Sequence, residues 1–97
     1  MLQYLLMSIQ HDATNQEFTT TRDGHTAELA YSRPSDDVID ITHTFVDEAL
    51  RGQGLADELA RAALAYAREQ KLKVRTTCTF MASFVKRHHA EYADILA

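Results

Sequence analysis

Four stretches carry residue types that do chemistry. The loop Arg51-Gly52-Gln53-Gly54-Leu55-Ala56-Asp57 stands between an apolar run that ends at Val46 and a long amphipathic segment. A strand that passes through a glycine-bearing turn into a helix N-terminus is an anion site. The first-turn N–H groups have no intrahelical partner, and the helix dipole favours negative charge there. Gly52 and Gly54 let such a backbone turn sharply and press close to a ligand. The dinucleotide fingerprint wants a third glycine where this chain has Asp57, and no Gly-Lys-Ser/Thr follows to make a nucleoside-triphosphate loop. Read locally, the same residues also serve as a plain strand-to-helix connection. Cys78, the lone cysteine, lies near the start of a second helical stretch. Helix N-termini favour thiolates, and most lone cysteines are buried small hydrophobes. His43 shares a strand face with Phe45. An imidazole exchanges protons near neutral pH, while a strand histidine bonded to backbone is the plainer reading. Lys86-Arg87-His88-His89 is a basic cluster in an acidic chain, an anion attractor or a solvated helix face. No metal set is expected, because the five histidines are scattered and one cysteine supplies no ligand group.

Periodicity defines the elements that must position these groups. Ser8–Asp12 reads as a short edge strand. Gln16–Thr21 is rich in strand formers, and Arg22-Asp23-Gly24 then gives the Asp-Gly signal of a tight hairpin. The return strand His25–Ser32 alternates Ala27, Leu29 and Tyr31 with Thr26, Glu28 and Ala30. Arg33-Pro34-Ser35-Asp36-Asp37 reads as a loop, since Pro34 has no N–H for a ladder. Val38–Val46 follows as a β-branched strand. From about Gly54 to Gln70 one helical stripe carries Leu55, Leu59, Ala63 and Tyr66 or Ala67, with Asp57, Glu58, Arg61, Arg68 and Glu69 opposite. Lys73–Thr77 is a strand that a right-handed crossover makes parallel to Val38–Val46. Thr79 or its neighbour caps a second helix to about His88, and a last turn or strand holds Tyr92, Ile95 and Leu96. The fold class is α/β (α+β): a mixed, mostly antiparallel sheet with one βαβ crossover helix and a short C-terminal helix.

The glycine loop matches the R/Q-x-x-G-x-G/A pattern of the GNAT acetyltransferase superfamily, with Arg51, Gly54 and Ala56 in the three fixed places. On either side, His43-Thr44-Phe45-Val46, then Cys78 and Phe80, then Glu91-Tyr92-Ala93-Asp94-Ile95 fall in the order and near the spacing of one branch. From Gln16 to Leu96 the chain resembles that branch, the small single-domain GNAT-like N-acetyltransferases with an active-site cysteine. The chain departs from the branch at Thr77 and Thr79, where a leucine and a proline are usual. It departs again at His88-His89-Ala90-Glu91-Tyr92, one residue longer than His-Pro-Glu-Tyr.

The resemblance implies a GNAT-like fold and an acetyl-CoA-dependent N-acetyltransferase acting on a primary amine: a protein lysine, an N-terminus or a polyamine. It implies that the backbone from Arg51 through Gly52, Gln53, Gly54, Leu55, Ala56 and Asp57 cradles the coenzyme A pyrophosphate. It further implies that the backbone at Phe45 and Val46 meets the thioester and pantetheine arm, and that Lys86, Arg87 and His88 attract the adenosine phosphates. His43 would take a proton from the incoming ammonium. Cys78 would serve either as a nucleophile that accepts the acetyl group or as an acid that reprotonates the departing thiolate. The alternative from another class is a coenzyme A-binding sensor or interaction module without transfer activity. A thiol-redox protein is the weakest reading, since no second cysteine supplies a resolving partner.

Composition narrows the partners. Ninety-seven residues with 45% hydrophobic and 25% charged content suit one modest core, taken as a single domain over 1–97. A net charge of −4 argues against nucleic-acid binding through phosphate neutralisation and mildly favours a cationic acceptor. No apolar run is long enough to span a bilayer. The opening Met1–Met7 lacks a basic leader and a cleavage site, so no signal peptide is expected, and Met7 is a candidate native start. One cysteine fits a reducing cytoplasm, and the expected state is a monomer or weak dimer.

Overall fold

The computed structural model describes residues 9–97, so Ser8 and the question of Met1 or Met7 lie outside the described residues. Five strands form one sheet in the order β1-β2-β3-β4-β5: β1 Gln10–Asp12, β2 Glu17–Arg22, β3 His25–Ser35, β4 Val38–Val46 and β5 Lys73–Thr76. The first four are antiparallel, and β5 runs parallel to β4 after the crossover helix α1, Leu55–Glu69. Helix α2 spans Thr79–Arg87 and a single turn α3 spans His89–Tyr92; Ala93–Ile95 closes as a 3-10 turn. The expected mixed sheet with one crossover is therefore the observed one.

The Asp23-Gly24 turn has φ of 53° and 79°, both positive as a type I′ turn requires, and it sets the register of β2 against β3 from Arg22↔His25 onward. Alternation then divides the sheet into two faces. Phe18, Leu29, Ile39, Ile41 and Val74 point toward α1 and α2 and are buried with Leu55, Leu59, Leu64, Met81 and Phe84. Ala60, Ala63 and Ala67 of α1 are fully buried, which lets the helix lie close to the strands. On the opposite face Glu17, Thr19, Glu28, Ala30, Ser32, His43 and Phe45 have no helix over them among the described residues.

Two irregularities depart from the expected alternation. Strand β3 continues through Arg33 and Pro34 to Ser35, where a loop had been expected. Ser32 pairs with Asp40 and Ser35 with Val38, so two residues of β3 stand opposite one of β4. This bulge lies beyond the stretch paired with β2, so the missing N–H of Pro34 costs no ladder bond. In β4 the pairing jumps from Tyr31↔Ile41 to Ala30↔His43, leaving Thr42 as the extra residue. That bulge reverses which residues of β4 face the helices. None of the described helices is long and apolar enough to cross a membrane.

Candidate functional site

The site begins where β4 and β5 stop pairing. Their ladder runs from Val38↔Lys73 to Ile41↔Thr76, and a last bond joins the Cys78 N–H to the Ile41 carbonyl at 3.0 Å. Past that point β4 continues to Val46, while the other chain turns away into α2. The exit is pinned by Asp40, whose carboxylate accepts from the Thr77 N–H at 3.2 Å and from the Thr77 hydroxyl at 2.8 Å. On the other side of β4, the Asp47 N–H donates to the Thr26 carbonyl at 3.2 Å. This bond sets the phase of the antiparallel ladder: residues 43 and 45 direct their N–H and C=O toward β3, and Thr44 and Val46 direct theirs into the gap. The Val46 carbonyl there accepts from Arg51 Nε at 3.2 Å.

The glycine loop lies at the end of this exposed edge. Asp47 caps a short 3-10 turn, Glu48–Leu50, by accepting from the Ala49 N–H at 2.9 Å. That bond, with His25 nearby, holds the Asp47 carboxyl below the ordinary aspartate value. Gly52 and Gly54 follow with φ of 84° and 76°, and a Cβ on either would meet open space. Their requirement for glycine is thus conformational and not a matter of protein crowding. Gly54 caps α1 with no side-chain bond, and the first helical bond is Glu58 N–H to Gly54 O at 3.1 Å. The N–H groups of Leu55, Ala56 and Asp57 therefore have no helical partner. They open onto a shallow cavity of about 200 Å³ bounded by Val46, Leu50, Arg51, Gly52 and Gly54. A larger cavity of about 480 Å³ lies on the outer side of α1, but its cations are already matched. Arg61 pairs with Glu91 at 3.2 Å and Arg68 with Asp94 at 2.6 Å. The smaller one is the candidate site.

The side chains divide between the two faces. Cys78, the residue that caps α2, has its Sγ 3.4 Å from Thr44 Oγ1 in the gap. Thr44 was not singled out from sequence as a site residue; only its place in the His43–Val46 run beside Cys78 pointed to it. His43 does not join this pair. It is exposed on the open face beside Phe45, which is 44% exposed. Lys86, Arg87 and His88 lie at the far end of α2, about 12 Å of helix rise from Cys78. Arg87 sits over the Phe84 ring at 5.8 Å and His88 lies against it at 4.5 Å, with Arg61 of α1 over the same ring at 5.4 Å. The basic cluster thus neighbours the middle of α1 and not the glycine loop. Among the described residues no three His, Cys, Asp or Glu side chains gather as a metal set.

Residues 17–95 match the model of the GCN5-related N-acetyl-transferases. The chain belongs to this family. It is 35% identical over 82 residues to human Protein NATD1, covering 82% of this chain and 73% of that protein, and 34% identical over 84 residues to the chicken protein (84% and 76%). A GCN5-like protein from Staphylococcus aureus, solved in solution, superposes with a TM-score of 0.73 at 28% identity over 92% of this chain and 86% of the other. The Mycobacterium tuberculosis protein Rv2747, solved in complex with CoA and NLQ, shares the fold with a TM-score of 0.63 at 22% identity, covering 92% of this chain and 53% of its own. Family and fold support acetyl-CoA-dependent acetyl transfer in general. The observed cradle fits that donor: three unpartnered N–H groups and two left-handed glycines with open space suit a pyrophosphate, and a bare strand edge suits an amide-bearing arm.

Proposed function

We propose that this protein is an acetyl-CoA-dependent N-acetyltransferase acting on a primary amine. The observation that carries the reading is the division of β4 from β5 beyond Ile41, which leaves a free strand edge running straight to the glycine-turned N-terminus of α1. Gly52, Gln53 and Gly54 with the N–H groups of Leu55, Ala56 and Asp57 would hold the pyrophosphate, and Arg51 adds positive charge. Thr44 and Val46 offer backbone N–H and C=O to the pantetheine arm; Phe45 contributes its place in the strand, since its own backbone faces β3. Lys86, Arg87 and His88, which lie beside the middle of α1, would meet the adenosine end only where it extends past the glycine loop toward them. When bound, acetyl-CoA supplies an acetyl thioester.

The chain's own groups divide the proton work. The Thr44 N–H points into the gap as an oxyanion donor. His43, on the open face, accepts a proton from the acceptor's ammonium. As the acetyl carbon–sulfur bond breaks, Cys78 Sγ inside the gap, oriented by Thr44 Oγ1 at 3.4 Å, would give its proton to the departing coenzyme A thiolate. A nucleophilic role would need a base beside the thiol, and no His, Asp or Glu is bonded to Sγ among the described residues. The acid role is therefore the one assigned.

A thermal shift with acetyl-CoA, coenzyme A and adenosine nucleotide tests the donor site, and release of free thiol in the presence of amines tests the reaction. Stabilisation by both coenzyme A forms, with thiol release, is expected; at a hundred times the dissociation constant the gain is roughly 2.7 kcal/mol. Stabilisation without thiol release on any primary amine would make the protein a coenzyme A-binding module. No stabilisation at millimolar ligand removes the reading altogether.

A further inference from the structure

The sheet face that no described helix covers has an arrangement that the donor site does not use. Cross-strand pairing places Glu17, Ala30 and His43 in one row and Thr19, Glu28 and Phe45 in the next. Glu28 is thus directly opposite Phe45 and diagonal to His43, within the reach of neighbouring side chains on one sheet face. Ala30 lies between Glu17 and His43 and leaves a low floor with a carboxylate on two sides. His43 reaches this face only because the Thr42 bulge reverses the alternation of β4; without it, Ile41 and His43 would share the buried face. Glu17 and Glu28 are both half-buried, and neither takes a hydrogen bond or an ion pair among the described residues. Asp40, the remaining acid on these strands, is committed to Thr77. No Lys or Arg stands in the rows of Glu17 and Glu28 on β2, β3 or β4; Arg75 of β5 lies on this face in the row of Asp40, beyond both carboxylates. Beside Glu28, Phe45 is the large hydrophobic residue left exposed among the described residues.

From this we propose that Glu28, supported by Glu17, receives the acceptor's ammonium on the open sheet face, and that the acceptor is a lysine side chain of another polypeptide. The proposal rests on the transferase reading above and specifies its second substrate. Half-buried carboxylates without a partner favour a cation, and the exposed Phe45 ring suits the four-carbon stem of lysine. A polypeptide is favoured over a free polyamine because the described residues raise no walls around this face to enclose a small molecule, whereas a second chain brings its own surface to lie on it. Glu28 is a positioning and specificity residue that fixes the ammonium beside His43.

The test uses the full chain and an N-terminally acetylated, lysine-containing peptide, with its norleucine analogue and spermidine as comparisons. Amide chemical shifts of Ala30, His43 and Phe45 are followed during peptide titration with no donor present. They are expected to move with the lysine peptide and to stay fixed with norleucine. Glu28→Gln, which keeps the side-chain shape, should weaken that binding at least fivefold and raise the peptide KM by a similar factor. The acetyl-CoA thermal shift should stay as in wild type. Glu69→Gln removes the same charge from the exposed end of α1 and should change neither. Unaltered peptide binding in Glu28→Gln, or equal losses in Glu69→Gln, would overturn the proposal, as would preferential binding of spermidine. Because the titration needs no turnover, an inactive wild type that still binds lysine peptide through Glu28 would sink the transferase reading and leave only the lysine-binding role of Glu28 standing.

Discussion

Among the described residues Cys78 and Thr44 are the pair of reactive side chains that the fold brings into contact inside the gap, with Sγ and Oγ1 3.4 Å apart. If Cys78 moves a proton and Thr44 aims it, the two act as one unit. Cys78→Ala should then lower kcat by about a hundredfold, the lower range for a lost general acid, while the coenzyme A thermal shift persists. Thr44→Val should lower kcat less, and adding it to Cys78→Ala should cost nothing further, because there is no longer a thiol to aim. Steady-state kinetics on the four proteins decides this; independent, multiplicative losses would mean that the residues work separately. His11 gives a second prediction at this scale. Its ring stacks on Phe18 at 4.1 Å, meets Tyr66 edge-on at 4.4 Å and lies 2.6 Å from the Tyr31 hydroxyl. Burial lowers its pKa below the ordinary 6.5, against a smaller opposing pull from Asp12. The unfolded chain therefore takes up the His11 proton first on acidification. Stability from neutral His11 is complete above pH 6.5 and declines as pH falls below it, down to the lowered folded value. Melting temperatures of wild type and His11→Phe measured across pH 8 to 5 should differ by a constant amount above 6.5 and by a changing amount below. Parallel curves through that point would dismiss the idea.

The elements make the site by interrupting regular structure twice. At the glycine loop, Gly54 holds φ of 76° to begin α1. Gly54→Ala should cost roughly 1–2 kcal/mol, the penalty of the left-handed region for a residue with a Cβ. Gly24→Ala makes the same kind of substitution in the β2–β3 turn, at φ 79°, and should cost a similar amount. The two should part when coenzyme A is added: Gly24→Ala keeps the full thermal shift, and Gly54→Ala loses most of it because its new methyl stands in the cradle. Equal shifts would show that the loop is only a turn. Both glycine positions were legible in the sequence, because Asp-Gly between strands and Gly-x-Gly before an amphipathic run are local signals. The limits of β4, Val38 and Val46, were legible for the same reason, a β-branched run bounded by turn residues. The Thr42 bulge was not, because it is a property of register between two strands, and nothing in Ile41-Thr42-His43-Thr44 marks the extra residue. With it went the separation of His43 from Cys78 and the role of Thr44, which depend on which face each residue takes. Pro34 misled for a related reason: its missing N–H ends a strand only where a ladder bond is required, and the bulge there requires none.

Taken whole, the molecule keeps its helices over one sheet face by tying its last residues back to the C-terminal end of α1 and to β5. Arg68 donates to the Asp94 carboxylate at 2.6 Å and to the Glu91 carbonyl at 2.9 Å, and Lys73 reaches the Asp94 carbonyl at 2.8 Å. Ala97 donates to Val74 O at 2.8 Å, so residues 96 and 97 lie along β5. Beneath this clasp Tyr92 and Ile95 are buried in the same hydrophobic cluster as Phe18 and Leu29. Apolar burial and the clasp can be separated. Ile95→Ala removes core methylenes and should destabilise by roughly 2–5 kcal/mol at any pH at which the protein folds. Asp94→Asn removes only the charge. The Arg68 hydrogen bond, and then its charge, hold the Asp94 carboxyl below the ordinary 3.8. A lowered folded pKa gives stability that is present above 3.8 and is lost as pH falls through the lowered value. Asp94→Asn should therefore melt below wild type at pH 7, and the difference should shrink toward nothing as the pH is taken below 3.8. Urea unfolding of the three proteins at pH 7 and pH 3 separates the contributions. A pH-independent gap for Asp94→Asn would assign the clasp to packing alone, and an Ile95→Ala close to wild type would mean that the core ends at β5 and the last turn merely rests on it.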